Sequence, residues 1–95
     1  MNDATVLRRR SAIRFRVVGD EGVVVRQDSA EVIAVNDVGA SVLTLLDSPR
    51  SLAHIFEELL SEYAVDRDSL REDVVRFLGE LVNAGVLEEG EVESP

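Results

Sequence analysis

The chain has 95 residues, 45% hydrophobic and 31% charged, which suits one folded domain and is too short for two. It contains neither cysteine nor lysine, so disulfide frameworks, thiolate nucleophiles, cysteine-based metal sites and Schiff-base chemistry are excluded. The net charge of -9 is unevenly placed: residues 1–36 carry six arginines against five acids, whereas residues 37–95 carry four arginines against fourteen acids, a surface that repels phosphate backbones.

Residues 1–12 are polar and aperiodic and are expected to form a flexible N-terminal tail. No apolar run approaches the roughly 20 residues of a membrane span, and "MNDATVLRRRS" lacks the apolar stretch of a signal peptide. A cytoplasmic protein with no membrane partner is therefore expected.

The domain is expected over residues 13–89. "IRFRVVGDEGVVVRQDSAEVIAV" holds three strand-like runs, Ile13 to Val18, Val23 to Arg26 and Glu31 to Val35, joined by the turn-rich "GDEG" and "QDSA". In the first run Ile13, Phe15 and Val17 share one face and Arg14 and Arg16 the other. The spacing predicts a three-stranded antiparallel meander.

Asn36 or Asp37 can cap a first helix with Val38, Val42, Leu45 and Leu46 at helical spacing, stopped by "DSPR". Ser51 can cap a second, whose stripe of Leu52, Ile55, Phe56, Leu59, Leu60 and Tyr63 opposes Glu57, Glu58 and Glu62. A third begins at Asp66 or Asp68, continues the stripe through Leu70, Val74, Phe77, Leu78, Leu81 and Val82, and ends at "NAG". There Gly85 suits the left-handed position that lets Val86 and Leu87 fold back to the core. Residues 90–95 read as a flexible acidic tail. The fold class is α+β and winged-helix-like, three strands followed by three helices.

Catalysis has little to work with. His54 is the only histidine and Tyr63 the only tyrosine, and His54 falls at a polar, exposed position of the second helix. The paired carboxylates at 57–58 and 72–73 lie on solvated helix faces, and no phosphate loop or metal-ligand spacing is present. No enzymatic activity, cofactor or metal is expected. A winged-helix DNA reader would need a basic recognition helix, and the third helix sets Arg67, Arg71 and Arg76 against Asp66, Asp68, Glu72, Asp73 and Glu80. Nucleic acid is not an expected partner.

The run Val32 to Val35 is apolar on both strand faces. If the meander follows chain order its third strand lies at an edge, with backbone groups free to pair with another extended chain. That edge could take a peptide, or a second copy of the chain in a homodimeric structural module.

The order of elements, with "VND" before the first helix, "LLD" at its end, "I..EL...Y.VD" in the second and "DV..FL.EL...G.L" in the last, resembles the PqqD family over roughly residues 13 to 89. Ser48 and Pro49 stand where that family usually has Asp-Gly. The resemblance implies a small non-enzymatic chaperone that holds the leader of a ribosomally made precursor peptide, as in pyrroloquinoline quinone or related peptide biosynthesis. It would present the leader to a modifying enzyme, commonly a radical S-adenosylmethionine enzyme. By position it puts the leader antiparallel to the third strand, with Glu31, Val32, Ile33, Ala34 and Val35 as one wall of a groove. Arg71, Val75 and Leu78 of the third helix share a face at i, i+4, i+7 and form the expected second wall, with Arg71 placed to pair with an acidic leader residue.

Overall fold

A strand forms within the segment expected to be a tail. In the computed structural model, which describes residues 1–90, β1 (Val6–Arg9) lies between β5 (Arg50–Ser51) and β6 (Leu87–Gly90), antiparallel to both. Leu7 is fully buried, a contribution of about 2 kcal/mol or more from one side chain. The segment before it also serves the second helix, since the carbonyls of Thr5 and Asp3 accept from the amides of Leu52 and Ala53. Those donors have no partner inside their own helix. The N-terminal expectation is thereby corrected, because Val6 and Leu7 find partners more than forty and eighty residues away. At the other end Gly90 closes β6, and residues 91–95 of the expected acidic tail lie outside the described residues.

The meander is present as a second antiparallel sheet of β2 (Ile13–Val18), β3 (Glu21–Arg26) and β4 (Glu31–Val35), in that order. The first turn is tighter than "GDEG" suggests. Val18 pairs with Glu21 across a loop of Gly19 and Asp20, and Gly19 has φ 66° as the first residue of a primed hairpin turn requires. In the second turn Ala30 takes φ 56°, a conformation that costs a residue with a Cβ about 1–2 kcal/mol. Ala30→Gly is expected to raise stability by about 0.5–1 kcal/mol, seen as a higher denaturant midpoint, because the relieved strain exceeds the added entropy of the unfolded chain.

Three capped helices follow the meander, the first of them packed on β3 and β4. Asn36 caps α1 (Asp37–Leu45), Ser51 caps α2 (Leu52–Glu62) and Asp66 caps α3 (Arg67–Asn83), each side chain accepting from an amide of the first turn. Bonds from the Ser69 amide and hydroxyl hold the Asp66 carboxyl below its ordinary 3.8. At the end of α3 the amides of Gly85 and Val86 bond back to Val82 and Leu81, and Gly85 has φ 77°. This paired closure turns the chain into β6 and buries Val86 and Leu87. The core runs from Leu7 through Val24 and Val35 to Ile55, Phe56 and Leu59 of α2 and Leu70, Val74, Leu78 and Leu81 of α3.

Gly39 sets how closely α1 approaches its neighbours. A Cβ there would stand 2.8 Å from the Phe77 ring and 2.9 Å from Val35 Cβ, closer than packed carbons tolerate. Without a side chain at this point α1, β4 and α3 meet at one corner, beside which the candidate site lies.

Candidate functional site

Strand register shows which backbone groups of β4 are unspent. A two-residue loop makes Val18 and Glu21 a mutually hydrogen-bonded pair, so Glu21, Val23 and Val25 direct their amides and carbonyls at β2. Alternation then turns Gly22, Val24 and Arg26 toward β4, where they face Val35, Ile33 and Glu31. The groups left on the outer edge of β4 are the amides and carbonyls of Val32 and Ala34. Among the described residues no strand pairs with that edge.

The same alternation sorts the side chains. Ile33 is half-buried and Val35 buried on the helix side, whereas Val32 is 64% exposed on the opposite face together with Ala34. Between β4 and α3 runs a groove of about 360 Å³ lined by Ile33, Ala34, Val35, Asn36, Phe77, Glu80, Leu81 and Ala84. At Asn36, Phe77 and Glu80 it adjoins a hollow of about 470 Å³ between α1, α3 and the α2–α3 loop. Phe77, Glu80, Leu81 and Ala84 stand at i, i+3, i+4 and i+7, one face of α3.

This face is not the one that carries the expected helix wall. Of the strand residues, Ile33, Ala34 and Val35 line the groove, whereas Glu31 and Val32 do not, and Arg71, Val75 and Leu78 project from a different side of α3. Leu78 is fully buried in the core and Val75 packs against it. The Arg71 guanidinium is held by the Asp3 carboxylate and lies 5.7 Å from the centre of the Phe56 ring. Those three residues do share a face, as their spacing requires. What one helix's periodicity does not specify is which face looks at β4.

The family model for coenzyme PQQ synthesis protein D (PqqD) matches residues 21–87. The chain belongs to the PqqD family. A PqqA binding protein of Rhodopseudomonas palustris (strain BisB5) is 30% identical over 94% of this chain and 85% of its own length. Among solved structures, TbiB1 in complex with the TbiA(beta) leader peptide superposes with a TM-score of 0.80 at 26% identity, covering 90% of this chain and 99% of that one. A lasso peptide synthetase B1 complexed with the leader peptide gives 0.74 at 28% identity, covering 86% and 96%.

In this PqqD-family chain one residue that sequence reasoning passed over fixes the lower end of the groove. Arg26, on β3, donates from Nη1 to the Ala84 carbonyl at 2.9 Å and sits 3.3 Å from Glu31 and 3.5 Å from Asp28. It thereby ties the β3–β4 hairpin to the C-terminus of α3, where a cation is also favoured by the helix dipole. Gly85 leaves room for it, since a Cβ there would stand 3.1 Å from the guanidinium carbon. Arg26→Met keeps much of the aliphatic stem and removes the tie. It is expected to speed hydrogen exchange of the Val86 amide about tenfold without loss of cooperative unfolding, because a charge-assisted bond of about 1.5 kcal/mol is lost.

His54 is exposed on α2, and among the described residues no group of three or more His, Asp or Glu side chains could hold a metal. No helix of the described residues is long and apolar enough to cross a membrane.

Proposed function

We propose that this PqqD-family protein is a non-enzymatic adaptor that takes the leader segment of a ribosomally made precursor peptide as an added strand on β4 and presents it to a modifying enzyme. A radical S-adenosylmethionine enzyme is the class that the family resemblance implies. The observation that carries the proposal is the open edge of β4. The outward amides and carbonyls of Val32 and Ala34 stand beside an apolar groove walled by Ile33, Val35, Phe77, Leu81 and Ala84. Backbone bonds supply grip and the groove supplies side-chain selection, the two components of recognition by strand addition. The relative named as a PqqA binding protein and the two structural neighbours with bound leader peptides support the reading.

Titration of isotope-labelled protein with a precursor leader peptide tests it. Saturable amide shifts are expected at Val32 and Ala34 and along Phe77 to Ala84, with Arg71 and Val75 little changed. Shifts confined to Arg71 and Val75, with β4 unmoved, would sink the proposal.

A further inference from the structure

We infer that the groove selects a leader strand that is cationic as well as apolar, with Glu80 as the residue that reads the positive charge. The inference rests on the strand-addition reading above and extends it to the chemistry of the peptide. Among the described residues Glu80 is the only ionisable side chain lining the groove between β4 and α3, and it also lines the adjoining hollow. It is exposed, and among the described residues it has no ion-pair partner. Of the cations nearby, Arg76, one turn before Glu80 and lining the same hollow, is directed at Asp73 at 2.9 Å, and Arg26 is shared among Ala84, Glu31 and Asp28. Past Asn36 the end of β4 opens on Asp20, Glu21 and Asp37, so no positive charge balances Glu80 from that side either.

A strand laid along β4 would cover the mouth of the groove and strip water from the Glu80 carboxylate. An anion that loses hydration without gaining a counter-charge is disfavoured, so a peptide that brings a lysine or arginine to this point is favoured. A peptide that brings an acid there is penalised twice, by desolvation and by repulsion. Alternation fixes the rest of the pattern. Every second residue of the added strand faces inward against Ile33 and Val35, where the walls accept only apolar groups.

Selection from a randomised peptide library displayed on phage, with the whole protein as bait, tests the inference and does not require the natural leader. Wild-type protein is expected to enrich peptides with alternating apolar residues and a lysine or arginine. A selected lysine peptide should bind about fivefold tighter than its glutamate counterpart at physiological salt, the scale of a partly exposed ion pair. With E80R as bait the preference should reverse toward acidic peptides, and Glu80 is exposed enough on α3 for that variant to fold. Peptides that bind but show no charge preference, or a preference that E80R leaves unchanged, overturn the inference while leaving strand addition intact. Enriched peptides that bind an Ala34→Pro variant as well as wild type, or no enrichment at all, overturn strand addition itself and this inference with it.

Discussion

Removal of residues 1–9 is expected to abolish cooperative folding, seen as loss of the sigmoidal unfolding transition in denaturant. β1 is the central strand of its sheet, so its loss leaves β5 and β6 without any partner among the described residues. The same deletion uncovers the cavity filled by Leu7, takes the Thr5 and Asp3 carbonyls from the first turn of α2, and frees Arg71 from Asp3. The marginal stability of a domain this size, about 5–10 kcal/mol, does not survive the loss of a central strand together with a buried leucine. Leu7→Ala isolates one part of the effect and should cost about 3 kcal/mol, measured as a lower midpoint with an unchanged slope. If the deletion variant melted like the full chain, the strand would be an ornament on a self-sufficient core.

Ala34→Pro is expected to weaken leader binding about a hundredfold or more while leaving the protein folded, and Ile33→Pro is expected to unfold it. The contrast comes from one strand. The Ala34 amide points away from β3, so a proline there takes no bond from the ladder, and proline is tolerated on an edge strand in that orientation. It does remove an amide that an added strand would need, and its ring occupies the space where that strand's backbone would lie. At Ile33 the amide faces Val24 of β3, and the side chain packs against the core, so the same substitution breaks the sheet between its strands. Calorimetric titration of Ala34→Pro, paired with its thermal melt, separates lost binding from lost structure. Full affinity in a folded Ala34→Pro variant would mean that the peptide is held by something other than the edge of β4.

The parts of this fold that could be read from the sequence are those where the signal is local. The Arg-apolar alternation of Ile13 to Val17, the caps at Asn36, Ser51 and Asp66, and the glycine at 85 each declare a strand, a helix start or a helix end within a few residues. The second sheet carries no such signal. Val6 and Leu7 are two apolar residues in a polar stretch, and what makes them a strand is pairing with β5 and β6, which no short window contains. Arg8 and Glu88 meet at 3.0 Å across β1 and β6, a complementarity visible only once the strands are side by side. That β4 (Glu31–Val35) carries apolar groups on both of its faces was legible, because four consecutive apolar residues cannot all face one core. The helix wall was not, because Arg71, Val75 and Leu78 obey the same periodicity as Phe77, Glu80, Leu81 and Ala84, and only the packing of α3 decides which set faces β4.

The pairing of β1 with β6 has a consequence for synthesis on the ribosome. The meander needs nothing beyond residue 35 for its own ladder, so it can assemble while most of the helices are still being made. The other sheet joins residues 6–9 to residues 87–90 and waits until the last strand has left the exit tunnel. The edge of β4 is thus complete within residues 21–35, whereas the helical wall of the groove beside it lies at residues 77–84. Main-chain pairing capacity therefore belongs to an early, local stretch of the chain, and the side chains beside it come from a stretch made about forty residues later.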